Sequence, residues 1–392
     1  MSNMTRWASA CAMVVAAGCY SPHVSPGIPC ADGTGSDRCP AGETCVSVGG
    51  QDLCEPAGFT TGGDAGTSGS DSAPMSDWWN PAWGHRAPLD ITAGDNGAPG
   101  GYTIAVAFDH ASLVAAGEAL ASGDDVRVVS DGGTDIDRVL DTGASWDTAT
   151  TIVWFQVSEQ LAEGQTVRYW LYYGNASAGS PPAHASNVFL LADDFEGDLD
   201  AWSTDTGVVT STLQAHGGSR SVMVPAQDDT GNGLGANNID RDNIVFDMWW
   251  FFADTTNLDC SEFVRGNDNT LYFTDLQPPS AGDPSIWDIS KAVNGTYSEV
   301  VPPPNGASSP SDNTWVRITV YAYGKTMAVD VGGTPYVPTS GFADVKFDTH
   351  GSVGGFVYFS NAPVWMDDAR LRLLVVPEPV LVMGPDQPYP GS

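Results

Sequence analysis

The run from Trp315 to Tyr323 has a period-two pattern, with Trp315, Arg317, Thr319, Tyr321 and Tyr323 on one side and Val316, Ile318 and Val320 on the other. Aromatic rings set in a row can stack on the apolar C–H faces of sugars, and an arginine among them can read hydroxyls. Trp315, Arg317, Tyr321 and Tyr323 are therefore the glycan-binding candidates, with Trp249, Trp287 and Tyr272 as rings that could join them. The competing reading is that these rings pack against a neighbouring domain or lie under loops. Carboxylates offer a second chemistry. Asp194 and Glu196 lie near the start of the downstream half and Asp368 near its end. If terminal strands pair there, these three could hold Ca2+, a hard cation that prefers oxygen. The plain alternative is an acidic edge that resists strand-to-strand aggregation.

Catalytic constellations are not evident. The hydrophobic strand Asn243–Ala253 carries a single acid, Asp247, where a glycosidase needs a pair of carboxylates. Histidines 23, 85, 110, 184, 216 and 350 are far apart, and no glycine-rich phosphate loop follows a strand. The expectation is a protein that is not an enzyme.

Composition narrows the setting. The 392 residues include 45 Gly and 27 Pro, and only 16% are charged, which suits turn-rich β structure. With 15 basic against 48 acidic residues the formal charge is −33, a surface that repels phosphate backbones, so nucleic acid is excluded as a partner. The apolar run Trp7–Gly18 after Arg6 is too short to span a bilayer, which takes about 20 residues, and reads as a signal peptide over residues 1–18. Its end, Val15-Ala16-Ala17-Gly18-Cys19, resembles a bacterial lipoprotein cleavage site. That resemblance implies lipidation of Cys19 and a membrane anchor in the cell envelope, at the outer membrane or cell surface. Ala16 stands where that motif prefers leucine, and simple cleavage is the alternative.

Cys30, Cys39, Cys45 and Cys54 form an even set in an exported chain and read as two disulfides with three pairings open; zinc is the lesser alternative. This segment, residues 19–56, is followed by a Gly/Ser/Asp/Thr-rich linker over 57–77, too poor in apolar groups to order itself. Downstream, strands are expected at Arg86–Thr92, Tyr102–Phe108, Asp125–Ser130, Thr151–Val157 and Val167–Tyr173, with a helical turn over Ser112–Ala121.

Several of these segments carry a family likeness. Trp79, Trp83, Arg86 and Asp90, then Asp124-Asp125-Val126-Arg127, Val153-Trp154-Phe155 and Leu171-Tyr172-Tyr173-Gly174-Asn175 resemble a bacterial and archaeal domain-of-unknown-function family of surface proteins. The resemblance implies a β-sandwich over 78–191 with no established catalytic residues. Asp193-Asp194-Phe195-Glu196, Trp202, Gly217-Gly218, Gly354-Gly355 and Asp367-Asp368 resemble the concanavalin A-like (laminin G-like) sandwich that follows such domains, here over 192–376 with a tail at 377–392. The fold class expected is thus all-β, with two consecutive sandwiches behind a cysteine-containing stalk. The expected function is non-catalytic binding of an extracellular polysaccharide or other glycan. The rivals are an adhesive envelope protein with a surface-protein partner and a glycan hydrolase with an unrecognised site. No cofactor is required beyond the structural Ca2+ considered above.

Overall fold

The computed structural model describes residues 28–29, 43–48, 51–56, 78–267, 270–278, 286–301, 309–344 and 350–391. The chain divides into two compact units, Met1–Met75 and Ser76–Ser392. In the first, Ile28–Pro29, Gln51–Pro56 and Glu43–Val48 form an antiparallel sheet in that order, and its register sets Cys45 opposite Cys54. The signal peptide, Cys19, Cys30, Cys39, the side chains of Cys45 and Cys54, and the 57–77 linker lie outside the described residues. No helix among the described residues is long and apolar enough to cross a membrane.

The second unit is all-β and contains two sandwiches. In the first sandwich, sheet A runs Val380–Met383, His85–Thr92, Thr166–Tyr173, Arg127–Ser130, Asp135–Ile136, with Gln387–Pro388 also paired to His85–Thr92. Sheet B is Tyr102–Phe108, Thr151–Val157, Arg138–Leu140. Alternation decides which side chains meet between them. Ala87, Leu89 and Ile91 from sheet A are fully buried against Val106, Val153 and Phe155 from sheet B. Burying each of the larger groups stabilises by about 1.5–3 kcal/mol.

The helix occupies His110–Ala116, shorter than the expected Ser112–Ala121. Asp109 caps its start by accepting from the Ser112 N–H at 2.9 Å, and Gly117, at φ 76°, closes it in the left-handed region. Residues 377–392, expected as a tail, supply two strands to sheet A, because Val380–Met383 finds the open edge of His85–Thr92.

The family-like motifs have a physical account. The fully buried Asp125 carboxylate accepts from the backbone N–H groups of Leu120 (3.0 Å), Gly174 (2.8 Å) and Asn175 (3.3 Å). Its carbonyl accepts from Trp83 Nε1 at 2.6 Å. One aspartate thus ties the opening aromatic segment to the closing Gly-Asn turn. Trp78, Trp79, Trp83 and Tyr172 form a satellite cluster, and the Arg86 guanidinium lies 3.8 Å over the Trp170 ring. Asp125→Ala leaves three part-buried amides without their acceptor, so we expect urea denaturation to show a loss of about 1–3 kcal/mol.

In the second sandwich, sheet C runs Val209–Ser211, Ser221–Val224, Val364–Leu373, Ile244–Phe252, Thr314–Tyr323, Thr326–Val331, Thr334–Ala343, with Leu191–Asp193 paired to Val364–Leu373. Sheet D runs Trp202–Thr204, Gln227–Ala236, Ser352–Ser360, Asp259–Gly266, Thr270–Gln277, Ile286–Val293, Thr296–Val301. Trp250, Phe246, Phe252, Ile318 and Met366 meet Val264, Tyr272, Trp287 and Val357 between the sheets. Trp250 comes so close to Gly355 that a Cβ there would sit 2.9 Å from its ring, which accounts for the glycine.

Val364–Leu373 is almost continuously buried although it contains two aspartates and two arginines. Its inner face enters the sandwich core, while its outer face meets the first sandwich. There Arg370 donates to the Leu140 carbonyl at 3.0 Å, and the Arg372 guanidinium lies 5.4 Å from the Trp154 ring.

Candidate functional site

The strand Thr314–Tyr323 has the expected phase: Ile318 and Val320 are buried in the core, and Trp315, Arg317, Thr319, Tyr321 and Tyr323 are on the outer face. Their surroundings divide that face in two. At Arg317 and the neighbouring Trp249 the first sandwich covers it. Arg317 donates from Nη1 to Asp141 Oδ1 at 3.0 Å and from Nε to Asp247 Oδ1 at 2.8 Å. Trp249 Nε1 donates to Thr142 Oγ1 at 2.9 Å, and its ring stacks on His216 at 3.8 Å. Trp315 packs against Phe251 and His216. Arg317 is thus committed to carboxylates instead of standing in water. Trp287 and Tyr272 are corrected as well: both are buried in the core from the opposite sheet and do not join this face.

The Tyr end is open. Thr314–Tyr323 turns back at Gly324, whose φ of 53° the hairpin requires, and Thr326–Val331 returns beside it with Ala328 opposite Tyr321 and Asp330 opposite Thr319. Tyr321, Tyr323, Thr326, Ala328 and Asp330 form one side of a cleft of about 370 Å3. Leu374, Val376 and Glu378, on the segment that crosses back to the first sandwich, form the other. The volume lies in the range of small-ligand sites, about 300–1,000 Å3.

The two carboxylates in this cleft differ. Glu378 receives Arg372 Nη1 at 2.6 Å and Nη2 at 3.2 Å, and the Tyr102 hydroxyl at 2.7 Å. Burial pushes its carboxyl up, but the Arg372 charge and these hydrogen bonds together outweigh burial and hold it below the usual glutamate range. It is a fixed anion. The Asp330 backbone is paired within the sheet, and its half-buried carboxylate faces the cleft with no side-chain hydrogen bond or ion pair among the described residues. Burial raises the Tyr321 phenol, so it stays a neutral donor.

The expected Ca2+ ligands do not converge. The terminal strands do pair, Leu191–Asp193 with Val364–Leu373, and Asp194 and Asp368 border one cavity of about 340 Å3 beside Arg370. Glu196 turns away to accept from the Ser219 and Arg220 N–H groups, and Asp368 Oδ2 lies 2.7 Å from His216 Nδ1. Among the described residues these three place no common set of ligand atoms within 4.8 Å.

One polar cluster was not anticipated. On sheet D, Asp275 and Asp288 are register partners, 3% and 1% exposed. The Tyr297 hydroxyl donates to Asp275 Oδ2 at 2.9 Å and Ser290 Oγ to Asp288 Oδ1 at 3.1 Å. Burial first, and then a nearby aspartate in each case, pushes both carboxyls up to about 7. The available signal was a single acid inside an otherwise uncharged, largely apolar stretch on each of two successive strands, Phe273-Thr274-Asp275-Leu276 and Trp287-Asp288-Ile289.

Comparison with known proteins adds a partial match. No curated protein matches the chain. Residues 122–205 match a domain of unknown function, DUF2341. The DUF2341 match includes Asp125, Asp141 and Trp154 and runs on into the second sandwich. Among solved structures, the carbohydrate-binding module CBM66 from Bacillus subtilis is 11% identical, with a TM-score of 0.34 over 44% of this chain and 96% of its own. A cellulose-induced protein, Cip1, is 16% identical, with 0.33 over 46% and 96%. A Bacillus subtilis protein of unknown function with a galectin-like fold is 11% identical, with 0.33 over 47% and 96%.

Proposed function

We propose that the chain is an exported, envelope-anchored protein that holds an extracellular polysaccharide or related glycan without cleaving it. The binding site in this reading is the cleft of Tyr321, Tyr323 and Asp330. The observation that carries it is the pairing of two tyrosine rings with a carboxylate that has no partner among the described residues, in a cleft of ligand size. A sugar's C–H face lies against a phenol ring, and an aspartate accepts from adjacent hydroxyls. A non-catalytic role fits the state of Glu378: a glycosidase acid must hold a proton to protonate the leaving oxygen, and Glu378 is held ionised. Anchorage at Cys19, with the 57–77 linker as a stalk, would place the cleft outside the cell.

The test is retention of the full chain on a panel of insoluble polysaccharides. We expect Tyr323→Ala and Asp330→Asn each to weaken retention about ten-fold or more, the loss of about 1.4 kcal/mol of contact. Both variants should melt near the parent temperature, because neither side chain belongs to the buried core. Retention unchanged in both variants, or none by the parent on any polysaccharide, overturns the reading.

A further inference from the structure

Far from the cleft, three segments bring metal-ligating side chains to one place. His85 begins the strand His85–Thr92, Glu118 follows the helix His110–Ala116, and Asp386 lies between the two returning strands near the C-terminus. One donor atom from each lies within 4.8 Å of the others. Among the described residues this is the group of three such side chains that meets that limit. We propose that His85, Glu118 and Asp386 form a binding site for a divalent transition-metal ion of the zinc class, which fastens residues 384–389 to the first sandwich.

The donor set selects the metal. An imidazole nitrogen with two carboxylate oxygens suits Zn2+ and its neighbours, whereas Ca2+ takes oxygen alone. Three protein ligands leave a fourth tetrahedral position to water. Tetrahedral ligands at zinc bond lengths are about 3.3 Å apart, so a bound ion draws these side chains slightly inward.

Supports for the ligands are already in place. The Tyr173 hydroxyl donates to Asp386 Oδ1 at 2.6 Å, and the His85 ring stacks on Tyr173 with centroids 5.5 Å apart and planes 9° apart. Such outer contacts orient ligands in metal sites. Gly174 keeps the floor clear: a Cβ there would meet His85 Cδ2 at 3.0 Å and the Glu118 carbonyl at 3.2 Å. Asp386 is carried on a segment held at both ends, by the Gly384 N–H on the Pro88 carbonyl (2.8 Å) and the Tyr389 N–H on the Gly84 carbonyl (2.7 Å). His85 Nδ1 already lies 3.1 Å from Asp386 Oδ2. A cation among these groups also neutralises two carboxylates of a strongly acidic chain.

The test uses the full chain, stripped with chelator and titrated with Zn2+, with stoichiometry read by calorimetry and stability by thermal melting. The parent is expected to take up one more tightly bound zinc per chain than either His85→Ala or Glu118→Gln. Its melting temperature should rise by about 3 °C or more at saturating zinc, a rise absent from both variants. Zinc held by the N-terminal cysteines persists in the variants and cancels in the difference. Without metal, Glu118→Gln, a near-isosteric change in a half-buried loop, should melt as the parent does, which separates a lost ligand from a lost fold. Equal stoichiometry and equal thermal shifts in parent and variants overturn the proposal.

Discussion

Arg317→Ala is expected to destabilise the folded chain by about 3–5 kcal/mol, measured as a shift in the denaturation midpoint at constant slope. Asp141 and Asp247 are 6% and 9% exposed at their side chains and share this one guanidinium, with Arg370 Nη1 3.7 Å from Asp141. Burial raises both carboxyls. For Asp141 the charge of Arg317, the Trp154 hydrogen bond at 2.7 Å and the Gly143 amide more than reverse it, so it stays below the usual range. For Asp247 burial wins, and its carboxyl stays above the usual value even with Arg317 present. Removing the guanidinium therefore leaves Asp141 as a buried charge with reduced compensation, which costs more than an exposed pair ever contributes. Arg317→Ala with Asp141→Asn should recover part of the loss. The same variant separates two roles. If Arg317 is a strut between the sandwiches, Arg317→Ala weakens polysaccharide retention only in proportion to unfolding. If it touches glycan, retention falls at temperatures where the variant remains fully folded.

The second large effect is a stability maximum on the acidic side of neutrality. In the folded chain Asp275, Asp288 and Asp367 keep their protons up to about 7, whereas an unfolded chain releases them near pH 4. Between those limits the folded state binds more protons, so stability is fully present below about pH 4 and is lost as pH rises through 7. Each tenfold difference in proton affinity between folded and unfolded chain is worth about 1.4 kcal/mol, so one carboxyl held near 7 instead of near 4 accounts for a loss on the order of 4 kcal/mol. Glu378 and Asp141 act oppositely: their lowered values stabilise above pH 4 and fail below it. The melting temperature should therefore peak near pH 5 and fall by several degrees by pH 8. Self-repulsion of the −33 chain acts in the same direction. Asp275→Asn with Asp288→Asn removes two of these three titrations without changing size and should make the profile shallower, with Asp367 supplying what remains. A profile as steep as the parent's would assign the slope to overall charge.

Much of the architecture could be read from side-chain alternation, because a half-buried strand imposes a two-residue period on its own sequence. Tyr102–Phe108 and Thr151–Val157 fall where that period puts them. The helix end does not, since its stop depends on Gly117 adopting positive φ while the apolar pattern runs on. Within the site, the facing of Tyr321 and Tyr323 was legible and their neighbours were not. The groups that decide the environment come from far along the chain: Asp141 is 176 residues from Arg317, and Tyr102 is 276 from Glu378. Nothing local marks Trp287 or Tyr272 as core and Trp249 as interface, because each is an aromatic residue among other large apolar or aromatic residues of its strand. The Asp275–Asp288 pair depends on hairpin register, which becomes visible once the two strands are aligned.

The return of Val380–Met383 and Gln387–Pro388 to His85–Thr92 makes the second sandwich an insertion within the first. The paired strands of the second lie between Leu191 and Leu373, while sheet A of the first spans His85 to Pro388. A chain that emerges from a ribosome or translocase N-terminus first therefore completes these sandwiches in reverse order. The later module has its strand partners in hand while the earlier one still waits for an edge. Until that edge arrives, His85–Thr92 presents unpaired backbone groups to its surroundings, an opening for other strands. Residues 380–388 act as a latch on assembly, and a chain cut short after Leu373 would carry a finished inner sandwich on an unfinished outer one.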